Sequence, residues 1–168
     1  MADRKDDRIR ARQVIAVCCG GTPPSEEEKL AYEVGKEIAR RGAVLVCGGL
    51  DGSMAAACRG AKEAGGLTIG ILPTYEKKTA NEWVDVVIPS GLGHARNNLV
   101  VATADGVVGV GGSWGTLSEL AIAVKMGKRV AVLAGWDAKP PGRGRTRFVN
   151  AATPAEAVAI ALGENPRE

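Results

Sequence analysis

The sequence predicts an open, doubly wound α/β domain: a mostly parallel sheet of about six or seven strands with helices on both faces. Three observations carry this expectation. Short runs that are apolar throughout alternate with segments patterned at helical spacing along nearly the whole chain. Those runs lack the polar alternation of a half-exposed sheet, so both sheet faces are expected to be covered. Glycine supplies 23 of 168 residues, and pairs of it follow several of the apolar runs, where a strand turns into a helix.

Taken in order, Val14-Ile-Ala-Val-Cys18 reads as a buried strand, followed by a turn at Gly20-Gly21-Thr22-Pro23-Pro24. Ser25 and Glu28 have capping-box spacing and open a helix. Leu30, Val34 and Ile38 form its apolar stripe, and Gly42 stops it. Ala43–Cys47 is a second strand, Gly48 to Gly52 a loop, and an alanine-rich helix then runs to about Ala64. Leu67–Leu72 and Val84–Ile88 are strands separated by a polar loop from Pro73 to Trp83. A helix from about Ala95 to Ala104 and strand Gly106–Val110 come next. After a glycine loop, a helix through Met126 leads to strand Arg129–Leu133. A short segment at Arg147–Val149 and a helix from Thr153 to Leu162 close the pattern. The chain length suits one domain, residues 1–168, with residues 1–12 expected as a flexible tail.

Composition narrows the function. A net charge of +3, from 22 basic and 19 acidic residues, is too even for a nucleic-acid binder. The Arg143, Arg145 and Arg147 run reads as a solvated loop, with phosphate contact or an interface as the alternative. No apolar run is long enough for a membrane helix, and the charged start shows no secretory pattern, so a cytoplasmic protein with no membrane partner is expected. Cys18, Cys19, Cys47 and Cys58 form no CxxC pair, and with His94 they match no familiar zinc spacing. They read as reduced structural thiols, and no metal site is expected.

Ligands of doubly wound sheets bind beyond the carboxyl ends of the strands. Three of those ends carry glycine pairs: Gly20-Gly21, Gly48-Gly49 and Gly111-Gly112. Glycine lets backbone N–H groups approach an anion, and the following helix N-terminus favours negative charge. No Gly-Lys-Ser/Thr is present, and a GxGxxG begun at Gly109 fails at Trp114. A mononucleotide or sugar phosphate therefore fits better than ATP or NAD. In the stretch Gly111-Gly112-Ser113-Trp114-Gly115-Thr116-Leu117-Ser118-Glu119, the Gly112–Thr116 amides and the Ser113 and Thr116 hydroxyls are candidate phosphate ligands. Thr116 and Glu119 also have capping-box spacing, so Glu119 is either a helix cap or a site carboxylate. A second cluster, Gly91-Leu-Gly-His-Ala-Arg-Asn-Asn98, brings His94, Arg96, Asn97 and Asn98 near the same edge. Arg96 suits phosphate recognition, with an ion pair to Asp105 or Glu119 as the alternative, and His94 reads as a turn residue.

These motifs resemble the LOG-type proteins, often labelled "possible lysine decarboxylase", and most closely their relatives grouped with molybdenum-cofactor carrier proteins. The family's P-G-G-x-G-T-x-x-E loop is matched by Gly112, Gly115, Thr116 and Glu119, with Gly111 in place of proline and Ser113 in place of a glycine. Its helix arginine is matched by Arg96, with Asn97 where the enzymes commonly have lysine. Its G-G-G-x-x-G-x-M element resembles Cys47 to Met54 and includes Gly48, Gly49 and Met54.

The resemblance implies a Rossmann-like domain that binds a nucleoside 5′-monophosphate or related phosphoribosyl ligand. It implies Arg96 and Glu119 as the catalytic pair of an N-glycosidic hydrolase that needs no cofactor. The alternative it implies is a non-catalytic protein that carries molybdenum cofactor, a pterin with a terminal phosphate. Either way the partner is a small phosphorylated molecule, and a homodimer or homotetramer is expected. A pyridoxal-phosphate decarboxylase is rejected, because no lysine lies in a Schiff-base setting.

Overall fold

The computed structural model of the chain describes residues 12–22, 24–137 and 148–164. The expectations for residues 1–11 of the tail, for Pro23 and for the Arg143–Arg147 run lie outside the described residues. Strands β1 (Val14–Cys19), β2 (Val44–Cys47), β3 (Thr68–Leu72), β4 (Val86–Pro89), β5 (Gly106–Val110), β6 (Arg129–Leu133) and β7 (Phe148–Asn150) form one sheet. Its order is β4-β3-β2-β1-β5-β6-β7, and every pairing is parallel. The helices are α1 (Ser25–Arg40), α2 (Ser53–Glu63), α3 (Arg96–Thr103), α4 (Trp114–Lys125) and α5 (Pro154–Leu162). This is the doubly wound α/β fold that the alternation predicts.

Alternate residues of each strand feed two cores. Ile15, Val17 and Cys19 face α1, α2 and α5, whereas Ala16 and Cys18 face α3 and α4. The four cysteines are free and buried, in keeping with structural thiols. No helix among the described residues is long and apolar enough to cross a membrane.

Helices α1 and α2 cross so closely that a Cβ on Gly35 would lie 1.9 Å from the Ala57 carbonyl oxygen, and one on Gly60 2.0 Å from that of Tyr32. Here glycine is required by contact, not by dihedral angle. Gly35→Ala should cost about 1–3 kcal/mol through overpacking and lower the melting temperature by roughly 2–10 °C. An unchanged thermal midpoint would mean that the helices separate without cost.

Two expectations need correction. Ser25 is not an N-cap: Pro24 takes that place, and its carbonyl accepts from Glu27 and Glu28 N–H at 3.0 and 3.3 Å. Helix α1 therefore starts one residue early, and Glu26, Glu27 and Glu28 serve its first turn as acids on a positive helix end. Strand β4 is not covered on both faces; it is an edge strand, with Val86 and Ile88 exposed. At α5 the N-cap is Thr153, which accepts from Glu156 N–H, while Glu156 accepts from the N–H of Ala152, one residue before the cap.

Candidate functional site

The glycine pairs follow β2, β1 and β5, which are neighbours in the sheet. From β1 the chain winds to β2 on one side and resumes at β5 on the other, so the switch point of the fold lies between β1 and β5. Gly20 and Gly112 face each other across it: a Cβ on Gly20 would come within 3.9 Å of Gly112 Cα. The sequence thus brings all three glycine pairs to one edge.

Arg96 and Glu119 meet at this edge. Arg96, the first residue of α3, lays its guanidinium over Gly48, where a Cβ would fall 2.5–2.7 Å from it. Its Nη1 donates to Glu119 Oε1 at 3.4 Å, and the two side chains are 11% and 8% exposed. Arg96 Nε is buried with no hydrogen-bond partner. Burial pushes the Glu119 carboxyl up to about 7, against the opposing pull of Arg96 and of the Cys18 thiol. Glu119 therefore has the capacity to hold or release a proton near neutral pH.

The capping reading of Glu119 does not survive. Helix α4 begins at Trp114 with Ser113 at the N-cap, so Glu119 lies well inside the helix and is buried. Asp105 is likewise not the partner of Arg96; its Oδ2 accepts from Val14 N–H at 2.8 Å. Thr116, 3% exposed, packs against Gly112, where φ of +91° and a Cβ position 2.2 Å from Thr116 Oγ1 both demand glycine. No side chain caps α4, so the first-turn amides of Trp114, Gly115 and Thr116 have no intrahelical partner. That is the ordinary setting for an anion at a helix start.

The remaining candidates divide by environment. Asn97 is buried and donates to Ser118 Oγ at 3.0 Å, while Ser118 donates to the Gly115 carbonyl at 2.7 Å. Asn97 thus ties α3 to the first turn of α4. Met54 is buried in the core beneath Gly21. Gly21, Ser113, Trp114 and Gly115 are exposed at the edge, whereas Gly48, Gly49 and Gly111 are buried. His94 is exposed in a short helical turn at Gly93–Ala95.

Four residues of this neighbourhood escaped sequence reasoning. Glu27 Oε2 accepts from Gly112 N–H at 3.2 Å. Ser53 is fully buried with an unpartnered hydroxyl at the start of α2. Cys18 stands beside Glu119, and Trp136 packs on Trp114. Only the acidic first turn of α1 hinted at any of them. A wider cavity of about 630 Å3 lies between α1 and α2 over Tyr32 and Arg59, and its lining includes none of the paired glycines. Among the described residues, no group of three or more His, Cys, Asp or Glu side chains is placed to hold a metal ion.

Comparison with known proteins agrees with the motif reading. The family profile described as the SLOG cluster4 family matches residues 12–162. The solved molybdenum cofactor binding protein of Rippkaea orientalis is 34% identical, with a TM-score of 0.84 over 92% of this chain and 98% of that one. The molybdenum cofactor carrier protein of Chlamydomonas reinhardtii is also 34% identical, with a TM-score of 0.77 over 90% of this chain and 97% of that one. The cytokinin riboside 5′-monophosphate phosphoribohydrolase of Mycobacterium tuberculosis is 34% identical over 110 residues, covering 63% of this chain but 59% of the enzyme.

Proposed function

The chain belongs to the SLOG cluster4 family, and from that premise we propose that it binds a phosphate-bearing heterocyclic ligand at the carboxyl edge of β2, β1 and β5. The observation that carries this reading is the placement of Arg96, a buried cation laid on Gly48, where three glycine pairs and an uncapped helix start converge. A cation and backbone amides at one sheet edge suit a phosphate. The cargo favoured by the two full-length structural relatives is molybdenum cofactor, whose pterin ends in a phosphate. In this reading the Trp114–Thr116 amides hold the phosphate, Arg96 balances its charge, and Asn97 fixes the start of α4. Gel filtration of the protein mixed with molybdenum cofactor tests it. Pterin that co-elutes with wild type and not with Arg96→Ala is expected; pterin in neither protein peak would overturn the cargo assignment.

The Arg96–Glu119 pair favours a second reading, hydrolysis of the N-glycosidic bond of a nucleoside 5′-monophosphate. Cleavage builds positive charge at the anomeric carbon, and a fixed carboxylate stabilises it and orients water. With its carboxyl near 7, Glu119 suits proton transfer as well. Chromatography after incubation with a panel of nucleoside 5′-monophosphates gives the decision. Release of free base by wild type, abolished in Glu119→Gln while nucleotide affinity stays within a few-fold, establishes turnover. No release, with a nucleotide or pterin nonetheless bound tightly, makes the protein a carrier or sensor.

A further inference from the structure

We propose that a cavity at the carboxyl ends of β5 and β6 seats the planar heterocycle of the ligand and that Glu27 reads its N–H edge. The proposal rests on the phosphate-ligand reading above and supplies what that reading lacks, a place for the ring. The cavity is about 300 Å3 and is lined by Glu27, Gly111, Gly112, Ala134, Gly135, Trp136 and Asp137. This is the low end of ligand-pocket volumes, enough for a fused bicyclic ring with the phosphate left outside. Gly111 and Gly112 join it to the start of α4, so ring and phosphate would bind on either side of one loop.

Four separate features of this cavity point to a ligand. Ala134, with φ of +47°, is the one non-glycine residue in the left-handed region among the described residues. Such strain gathers at ligand clamps. Trp136 lines the cavity, and its buried Nε1 has no hydrogen-bond partner, an unsatisfied polar group beside the pocket wall. The Trp136 ring packs on Trp114 at 5.2 Å between centroids, and Trp114 is 76% exposed, so aromatic surface stands open beside the phosphate loop. Glu27 holds its carboxylate against the same loop through Gly112 N–H, and a carboxylate keeps acceptor capacity beyond one such bond.

Together these select a flat ring that packs against indole surface and offers adjacent N–H donors to a carboxylate. The 2-amino-4-oxo-pyrimidine edge shared by guanine and the pterins has this pattern. Adenine does not match it as well, since its ring nitrogens are acceptors.

Isothermal titration with GMP, neopterin and ribose 5-phosphate tests the assignment on the full chain. A Trp83→Phe background lets Trp114 and Trp136 fluorescence report ring binding. GMP and neopterin should quench that fluorescence. Glu27→Gln should weaken both at least tenfold and leave ribose 5-phosphate within twofold, and Glu26→Gln, on the same helical turn, should change none of the three. Equal weakening of all three ligands would make Glu27 a mere support of the loop. Tighter binding of all three would make it an internal stand-in for phosphate. Either result overturns the proposal. Ribose 5-phosphate bound without any effect of the ring ligands on fluorescence removes this subsite and leaves the phosphate site intact. Failure of all three to bind wild type removes both.

Discussion

Between about pH 5 and pH 8 the protein should lose about 3 kcal/mol of folding stability through Glu119 alone, and Glu119→Gln should erase that loss. The cause is the carboxyl held near 7 by burial, above its ordinary value of 4.5. Because the folded chain keeps this proton more tightly than the unfolded one, raising the pH favours the unfolded state across the interval between the two values. The contribution is fully present below 4.5 and is gone above about 7. Arg96 opposes the shift without cancelling it, since its Nη1 reaches Glu119 at only 3.4 Å. Denaturant unfolding of wild type and Glu119→Gln at several pH values is the check. The difference between them should move in favour of the variant as pH rises; a constant difference would mean that Glu119 is already ionised at pH 5.

Gly48→Ala should cost at least tenfold in affinity for phosphorylated ligands and little in stability. A Cβ there meets the tip of the Arg96 side chain at 2.5 Å, and no closer obstacle surrounds it. A flexible guanidinium moves aside more cheaply than a backbone, so the fold persists while the cation leaves its place beside Glu119. The contrast with Gly35→Ala is instructive, because there the new methyl meets a carbonyl of the neighbouring helix. Titration of Gly48→Ala with a phosphorylated ligand and with its dephosphorylated counterpart separates the effects. Loss confined to the phosphorylated form is expected, and equal loss for both would assign Gly48 to folding.

The fold was legible because its signal is local. Apolar runs such as Ile15–Cys18 and Val107–Val110 read as strands buried on both faces, and they are. Glycine pairs marked the strand ends that carry the candidate site. Arg96 and Glu119 were legible as candidates through motif spacing, yet spacing alone left Glu119 open to a capping role. Only the start of α4 at Trp114 decided that point, since it places Glu119 beyond the first turn and against Arg96. Ser25 failed for a related reason: its spacing to Glu28 was right, but the carbonyl of Pro24 began the helix first. Glu27 was illegible because its partner, Gly112, lies 85 positions away. The Trp114–Trp136 contact likewise depends on how β5 and β6 pair.

On the proposed function, the β2, β1 and β5 edge receives a phosphate. Isothermal titration of wild type with nucleoside 5′-monophosphates and a phosphorylated pterin, each against its dephosphorylated form, tests it most directly. At least one pair should show the phosphorylated form bound tenfold or more tightly. Equal affinity within every pair, or no binding by any phosphorylated member, would rule out a phosphate site at this edge.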